Sequence, residues 1–302
     1  MRVAVTGTTG RVGAALASHF ASRHEVIALP RNICDLADPC SLASALERLE
    51  CDVFLNPAGL TSLEMCEDDP ALAMRVNATA AGEIAAWAAE RGVPVFHFST
   101  DYVFSGNGQG LRHEEDPTGA VSVYGSSKLA GEEAVLAFPG NCVIRVAWVF
   151  GPEKFSFIDR VFDDALAGLP LAAVSDKFSL PVLTTDLAAW TEKIVESKTT
   201  GIVQACQSGE PISWHDMALC ALDEMVACGL LPEAPPVRKL TLSEMTSFRA
   251  TRPRHTAMDT TRLTRILGHV PRPWQEAVKG YIRSRASALR GEQDPGAHGK
   301  VV

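Results

Sequence analysis

A glycine-rich turn near the start of the chain limits the possible folds more than any other feature. Residues 1–6 predict a short buried strand, and the motif Gly7-x-x-Gly10-x-x-Gly13 leads from it into an alanine-rich helix. A strand, three glycines at this spacing and a helix form a turn that binds the pyrophosphate of a dinucleotide at the helix N-terminus. Gly7 would permit the tight turn, Gly10 the approach of backbone to the anion, and Gly13 close packing of the helix on the strand.

Strands alternate with helical patterns along the rest of the chain, which predicts an α/β fold with a parallel, doubly wound sheet of Rossmann type. We expect residues 1–150 to form the dinucleotide-binding domain, with residues 184–212 returning to it. Residues 151–183 and 213–290 would form a smaller, C-terminal substrate-binding region. The tail 291–302 has no apolar period and is expected to be disordered.

Two further segments carry the groups that reduction of a ketone needs. An apolar run over residues 93–98 predicts a buried strand ending at Ser99 and Thr100, and ligands of open α/β sheets lie at the carboxyl ends of strands. Tyr124 and Lys128 are four positions apart in a predicted helix and share one face. A neighbouring ammonium lowers the pKa of a phenol. Tyr124 could then protonate the carbonyl oxygen that Thr100 holds.

The cofactor preference depends on the end of the second predicted strand, residues 25–29. NAD-preferring sites carry an acid there that binds the ribose 2′-hydroxyl, whereas this chain continues Pro30-Arg31-Asn32. Arg31 could pair with the 2′-phosphate of NADP, with help from Arg11. Alternatively, Arg31 is simply solvated. We therefore expect NADPH, with NADH as the other option.

Together these motifs resemble the dTDP-4-dehydrorhamnose reductase family of the extended short-chain dehydrogenase/reductases. The more specific marks are the strings STDYVF at 99–104 and RVAWVFG at 145–151, supported by Gly131-Glu132, Arg252-Pro253 and Met258-Asp259. The similarity covers nearly the whole chain. It implies an NAD(P)H-dependent reductase of a nucleotide-linked 4-keto-6-deoxy sugar, such as dTDP-4-dehydrorhamnose, which would yield dTDP-rhamnose.

The resemblance also implies roles for individual positions. The expected catalytic residues are Thr100, Tyr124 and Lys128. The residues expected to bind the cofactor are Gly7, Gly10, Arg11, Val12, Gly13, Arg31, Asp35, Leu36, Ala58, Gly59, Asn77, Ser99, Tyr124, Lys128 and Val146. The residues expected to bind the sugar nucleotide are Asp101, Tyr102, Trp148 and Arg252.

Some positions depart from the family pattern. Pro57 opens a segment where alanines are usual, and the glycine after the Val-Phe step is displaced to Gly106. Residues 178–182 read FSLPV, where the family often has Gly-x-Pro-Thr. The cofactor half therefore matches better than the substrate half, and the identity of the sugar stays open.

Other functions remain compatible with the sequence. The regulatory subunit of methionine adenosyltransferase is similar to this family and is non-catalytic, although the retained Thr-Tyr-Lys set argues against that role. A nucleotide-sugar epimerase or dehydratase could use the same three residues. A dehydratase commonly adds two acids after the hydroxyl residue, whereas only Asp101 follows Thr100 here. A Tyr-x-x-x-Lys pair alone also arises by chance on surface helices.

Composition excludes several classes of partner. A net charge of −8 argues against nucleic acid and anionic membranes. The chain opens directly on a strand, so no signal peptide is expected, and no apolar run is long enough to span a bilayer. The eight cysteines include no Cys-x-x-Cys, and no His cluster has metal-ligand spacing. We expect a cytoplasmic enzyme without structural metal that acts on a nucleotide sugar, with a homodimer as an open option.

Overall fold

A six-stranded parallel sheet forms the centre of the computed structural model, which describes residues 1–291. Its strands are β1 (Arg2–Thr6), β2 (Glu25–Leu29), β3 (Val53–Asn56), β4 (Val95–Thr100), β5 (Cys142–Val146) and β10 (Gly201–Ala205). They lie in the order β10-β5-β4-β3-β1-β2, and every neighbouring pair is parallel. The predicted α/β class with a doubly wound sheet is confirmed.

Helices cover both faces of the sheet because alternate strand residues point to opposite sides. Val3 and Val5 face α1 (Arg11–Phe20), α8 (Thr184–Glu196) and α10 (Thr261–Leu267). Ala4 faces the other layer, which consists of α2 (Pro39–Glu47), α5 (Ala80–Ala89) and α6 (Val123–Leu136). The chain winds outward in both directions from β1 and β3, so a ligand cleft is expected where these strands end.

The segment between β3 and α5 is less regular than its sequence predicts. A helix capped by Asp69 and reaching about Arg91 is expected, and residues 70–89 are helical without a break, as α4 (Pro70–Met74), one π-helical turn (Arg75–Thr79) and α5. The short helix α3 (Leu63–Asp68) before it was not expected. Single π-helical turns are frequent at functional sites. This turn carries Asn77.

A second core joins the elements at the carboxyl end of the sheet. These elements are β6 (Val149–Phe150), α7 (Phe157–Leu166), β7 (Leu171–Val174), β8 (Phe178–Ser179), β9 (Val182–Leu183), β11 (Ile212–Ser213), α9 (Trp214–Ala227), β12 (Val237–Leu240) and α11 (Trp274–Leu289). Short pairings link β12 with β7, β11 with β8 and β6 with β9. Within the expected substrate-binding region 213–290, Leu263 of α10 packs against the central sheet.

The predicted domain division stays a prediction. The expected disordered tail lies, from residue 292 on, outside the described residues. Within residues 1–291, no helix combines the length and the apolar character needed to cross a bilayer.

Candidate active site

A cleft of about 780 Å³ opens where β1, β3, β4 and β5 end. That volume lies in the range of small-molecule and cofactor sites. The cleft is lined by almost all of the residues that the sequence predicts, namely Gly7, Gly10, Arg11, Val12, Gly13, Arg31, Asp35, Leu36, Ala58, Gly59, Ser99, Thr100, Asp101, Tyr102, Tyr124, Lys128, Val146 and Trp148. Asn77 and Arg252 are not among its lining residues.

The glycine turn after β1 has the geometry of an anion cradle. Gly7 has a φ of +58°, a conformation that side chains disfavour. A Cβ on Gly13 would lie 2.2 Å from the Gly7 carbonyl oxygen, so only glycine lets α1 approach this closely. Gly10 is the N-cap of α1, whose first turn carries no acid. The N-terminus of α1 therefore faces the cleft with its dipole and backbone amides, which suit a pyrophosphate.

Two arginines lie near this turn with different partners. The guanidinium of Arg11 donates to the carbonyl oxygens of Val149 (2.8 Å) and Phe155 (2.7 Å), so it ties α1 to the segment after β6. Arg31 is largely exposed and pairs with Asp35 at 3.1 Å. The Ala37 amide and Arg31 hold the pKa of Asp35 below its usual value. Both arginines line the cleft, but Arg31 is largely exposed with one carboxylate partner, whereas Arg11 is held by backbone carbonyl oxygens.

The expected catalytic groups lie together in the cleft. Thr100 ends β4, while Tyr124 and Lys128 lie on α6. Burial raises the pKa of Tyr124 above its usual value, and a hydrogen bond with Thr100 partly offsets this. The phenol is thus protonated at neutral pH and able to donate. Burial lowers the pKa of Lys128 to about 8.

The ammonium of Lys128 has an unexpected neighbour. Its Nζ lies 3.3 Å from Nε2 of His97, a buried histidine of β4. Lys128 is expected to lower the pKa of Tyr124. Here burial outweighs any such effect, and the ammonium faces His97 instead. His97 is a residue that the sequence reasoning missed, although a histidine inside the apolar run VFHF was an available signal.

Helix α6 is seated by two glycines on either side of Lys128. A Cβ on Gly125 would lie 2.3 Å from the Tyr102 carbonyl oxygen, and one on Gly131 would lie 2.2 Å from the Asn77 carbonyl oxygen. Ser122 caps the helix by accepting from the Gly125 amide at 3.2 Å. These contacts fix the height of Lys128 above the sheet.

Asn77 lies behind the cleft rather than in it. Its side chain is fully buried, accepts from the Leu60 amide at 2.8 Å and donates to the Leu60 carbonyl at 3.0 Å. It also donates to the hydroxyl of Ser127 on α6 at 2.9 Å. Asn77 therefore supports the loop that contains Gly59 instead of offering a free group to a cofactor.

Asp101 joins the cleft to the C-terminal region. Its carboxylate accepts from Ser179 at 3.0 Å, from Thr100 at 3.2 Å and from Thr256. Ser179 and Thr256 were not predicted, because no local pattern links them to Asp101. The carboxylate is buried and bonded to three hydroxyl groups, so it connects the end of β4 to the C-terminal region.

Aromatic side chains line the cleft next to Asp101. The rings of Tyr102 and Tyr124 meet edge to face at 5.7 Å. Trp148 has a φ of +42°, which is strained for a bulky residue and is the kind of strain found at functional sites. The buried ammonium of Lys177, another residue that was missed, lies 4.7 Å from the centre of the Tyr102 ring.

Arg252 lies outside the cleft lining because it is held by neighbours. Its guanidinium bonds to Glu64 of α3 at 2.9 Å and to the Ala250 carbonyl at 2.9 Å, and it stacks 3.5 Å above the Phe248 ring. Arg249 pairs with Asp68 of the same helix at 2.7 Å. These two ion pairs connect α3 to the C-terminal region.

Two buried polar atoms in the cleft lack partners within the described residues. They are Oγ of Ser99 and Nε1 of Trp148. Unpartnered buried polar atoms are costly unless a ligand or water satisfies them. Together with the glycine cradle, they fit a dinucleotide and a second polar ligand. Among residues 1–291 no group of three or more His, Cys, Asp or Glu side chains could hold a metal ion.

Comparison with known proteins identifies the family. The family described as RmlD substrate binding domain matches residues 1–287. A dTDP-4-dehydrorhamnose reductase of Aggregatibacter actinomycetemcomitans is 31% identical over 293 residues, covering 94% of this chain and 99% of the relative.

Solved structures of similar proteins have the same fold. The dTDP-4-dehydrorhamnose reductase of Clostridium acetobutylicum superposes with a TM-score of 0.85 at 26% identity, covering 94% of this chain and 99% of that one. The Bacillus anthracis enzyme, solved in complex with NADP, gives 0.84 at 21% identity with the same coverage. The resemblance stated from the sequence is confirmed: the chain belongs to the dTDP-4-dehydrorhamnose reductase family.

Proposed function

We propose that this protein is an NADPH-dependent reductase of a nucleotide-linked 4-keto-6-deoxy sugar, with dTDP-4-dehydrorhamnose as substrate and dTDP-rhamnose as product. The observation that carries the proposal is the meeting of Thr100, Tyr124 and the glycine cradle in one cleft. Relatives that this chain matches over nearly their whole length are named dTDP-4-dehydrorhamnose reductases. NADPH is the preferred cofactor, and NADH is the alternative.

Each catalytic group has one task at the keto group. The nicotinamide cofactor, when bound, supplies the hydride that the keto carbon receives. Tyr124 donates its phenolic proton to the keto oxygen, which general acid catalysis requires. Thr100 donates its one hydroxyl proton to the same oxygen after exchanging Asp101 for it, and so orients the keto group. Lys128 adds a positive charge to the same cleft, which favours proton loss from Tyr124 as the reaction proceeds.

The cofactor end and the substrate end of the cleft use different contacts. We assign the pyrophosphate of NADPH to the N-terminus of α1 and its ribose phosphate to Arg31. Ser99 and Val146 border the nicotinamide, and Asp35 and Leu36 lie by the adenosine, as the resemblance implies.

At the substrate end, Trp148 and Tyr102 offer an indole N–H and an aromatic wall to the sugar. Arg252 would reach the nucleotide phosphates only after exchanging Glu64 for them. Asp101 then acts by holding Thr100 rather than by binding the sugar directly. We assign Asp101 this positioning role in place of the direct substrate contact that the resemblance implies.

A substrate panel tests the function. The purified protein is mixed with NADPH and a series of 4-keto-6-deoxy sugars linked to dTDP, UDP or GDP, and the loss of NADPH absorbance is recorded. We expect turnover to be fastest with the dTDP-linked sugar. NADPH binding without turnover of any 4-keto sugar would contradict the proposal and favour a non-catalytic subunit. Interconversion of sugars without net NADPH loss would favour an epimerase.

The homodimer and the cytoplasmic location remain predictions. Light scattering coupled to size exclusion measures the first, and cell fractionation measures the second.

A further inference from the structure

A buried chain of polar groups runs beneath the cleft from β1 to α6. The Thr6 hydroxyl donates to Oδ1 of Asn56 at 2.7 Å, and Nδ2 of the same amide lies 3.1 Å from Nδ1 of His97. Nε2 of His97 lies 3.3 Å from the Lys128 ammonium. The exposure of these four residues does not exceed 5%. They come from the ends of β1 and β3, from the middle of β4 and from α6. This polar chain therefore lies beside the loop of residues 57–60 that follows β3, here called the cofactor loop.

Both ends of this chain of polar groups contact the cofactor loop. The Thr6 hydroxyl accepts from the amide of Ala58 at 3.3 Å. A Cβ on Gly59 would lie 3.7 Å from Nζ of Lys128. The loop that lines the cofactor site therefore contacts the first and the last member of the chain.

Donor and acceptor counting fixes the form of the imidazole. An ammonium donates three hydrogen bonds and accepts none. Nε2 of His97 must therefore accept, which places the ring proton on Nδ1. The Asn56 amide then takes the orientation in which the positions of Oδ1 and Nδ2 are exchanged: its oxygen accepts from Nδ1, and its NH₂ donates to Thr6, whose two lone pairs serve Asn56 and Ala58. The orientation with Oδ1 on Thr6 and Nδ2 on Nδ1 would set a protonated Nε2 against the ammonium, donor against donor.

The surroundings keep this imidazole neutral. Burial and the charge of Lys128 hold the pKa of His97 well below its usual value. The other titratable groups near the ammonium are Glu132, which is bonded to Arg145, and the thiol of Cys66. Neither is within hydrogen-bond distance of Nζ, whose one side-chain partner among the described residues is His97.

We propose that His97 is a positioning residue that holds the Lys128 ammonium through a neutral, Nδ1-protonated imidazole and couples it to the cofactor loop through Asn56 and Thr6. The inference rests on the proposed function only for the role of Lys128. The hydrogen bond keeps a buried charge in place under Gly59. Without this hydrogen bond the ammonium loses its acceptor, so we expect Lys128 to deprotonate at lower pH.

Two substitutions separate the hydrogen bond from the volume of the side chain. His97→Leu removes the acceptor, whereas His97→Gln keeps an oxygen that can accept from Lys128. We expect His97→Leu to move the alkaline limb of the kcat profile about one pH unit lower, which is the scale of one lost hydrogen bond to a charged group. His97→Gln should restore the limb to within a few tenths of a unit, and the substrate KM should not change in either variant.

A matched control is His215→Leu. His215 is also buried and bonds through Nε2 to the Val237 carbonyl at 3.2 Å, far from the cleft. The His215→Leu substitution should leave the pH profile of kcat unchanged. An unshifted alkaline limb in folded His97→Leu would overturn the proposal, as would an equal shift in His97→Leu and His97→Gln.

Two measurements need no turnover and so separate this proposal from the proposed function. In ¹⁵N-histidine-labelled protein, the signal lost in His97→Gln should show a protonated Nδ1 and a bare Nε2, without titration between about pH 6 and pH 8. A protonated Nε2 would overturn the proposal. NADPH fluorescence titration should give a Kd about fivefold weaker for His97→Leu and within twofold of wild type for His97→Gln, since Lys128 then moves from under the loop. A wild-type Kd in His97→Leu would contradict the coupling.

Discussion

The cofactor end of the cleft is made of backbone turns at strand ends, whereas the substrate end is closed by side chains that lie far apart in the sequence. At the cofactor end, Gly7 and Gly13 belong to one seven-residue motif and contact each other directly. At the substrate end, Arg252 meets Glu64 across 188 positions, and Thr256 meets Asp101 across 155. The first kind of site tolerates little change within a short segment, while the second depends on how two halves of the molecule pack.

Removal of the Tyr124 hydroxyl should have the largest effect, because this phenol is the proposed acid and lies between the cofactor end and the substrate end of the cleft. We expect Tyr124→Phe to lower kcat on the order of 10³-fold, since general acid catalysis contributes about 10²–10⁴-fold. NADPH affinity should stay within twofold, as measured by fluorescence titration. Tyr281→Phe is the matched control: it removes a phenol that bonds to Asp159 at 2.6 Å, away from the cleft. Turnover of Tyr124→Phe near the wild-type rate would rule out the phenol as the acid.

The same contrast explains what the sequence could predict. Gly13 is recognisable because its neighbours in space are its neighbours in sequence, and Tyr124 and Lys128 because a helix puts a four-residue spacing on one face. The cofactor contact expected for Asn77 stays a prediction: the structure places its side chain behind the cleft lining, on the π-helical turn and against Ser127, which no pattern in one segment reveals. The pairing of Arg252 with Glu64 depends on the packing of α3 against the C-terminal region.

His97 shows what the sequence alone could not predict. It interrupts an apolar strand pattern, so a buried partner was to be expected, but the identity of that partner depends on the register of β4 with β3 and on the height of α6. Both are set by long-range contacts, such as that of Gly131 with Asn77. Local chemistry is therefore predictable where the backbone makes the site, and less so where packing does.

The glycine turn offers the next largest effect. A Cβ on Gly13 would lie 2.2 Å from the Gly7 carbonyl oxygen, so Gly13→Ala must displace the turn or α1. Overpacking of this kind costs about 2 kcal/mol, which corresponds to roughly thirtyfold in the Kd for NADPH if the strain is relieved by moving the cradle.

Gly280→Ala is the control for that substitution. Gly280 also lies inside a helix, but its added Cβ would meet nothing closer than 3.8 Å. Its NADPH affinity should equal that of the wild type, and its thermal stability should be equal or slightly higher, because alanine favours helix. Wild-type affinity in Gly13→Ala would show that the cradle does not bind the cofactor.

Arg31 tests the cofactor end at its most exposed point. We expect Arg31→Ala to raise the KM for NADPH about tenfold and to leave the KM for NADH within twofold, because only NADPH carries the 2′-phosphate and the freed Asp35 would then repel it. The difference should shrink in high salt, since Arg31 is largely exposed. Arg91→Ala, at an exposed arginine paired with Glu90, should change neither constant. An equal loss for both cofactors would remove the phosphate role.

Ser179 tests the substrate end, where the expected effect is smallest. This serine stands where the family often has glycine, and it donates to the buried Asp101 carboxylate at 3.0 Å. Ser179→Ala removes one of three hydroxyl donors, while Thr100 and Thr256 keep the carboxylate partly satisfied. We therefore expect the KM for the sugar nucleotide to rise about threefold and the free energy of unfolding to fall by about 1–2 kcal/mol. NADPH affinity should not change.

The control for Ser179→Ala is Ser175→Ala, which removes a hydroxyl bonded to the Leu240 carbonyl at 3.2 Å and not to Asp101. It should lower stability slightly without changing the KM of either substrate. If the two ends of the cleft are independent, Ser179→Ala should weaken binding of the sugar nucleotide and leave NADPH binding unchanged. Equal weakening of both ligands in Ser179→Ala would mean that Asp101 couples the two ends, and that the cleft acts as one unit.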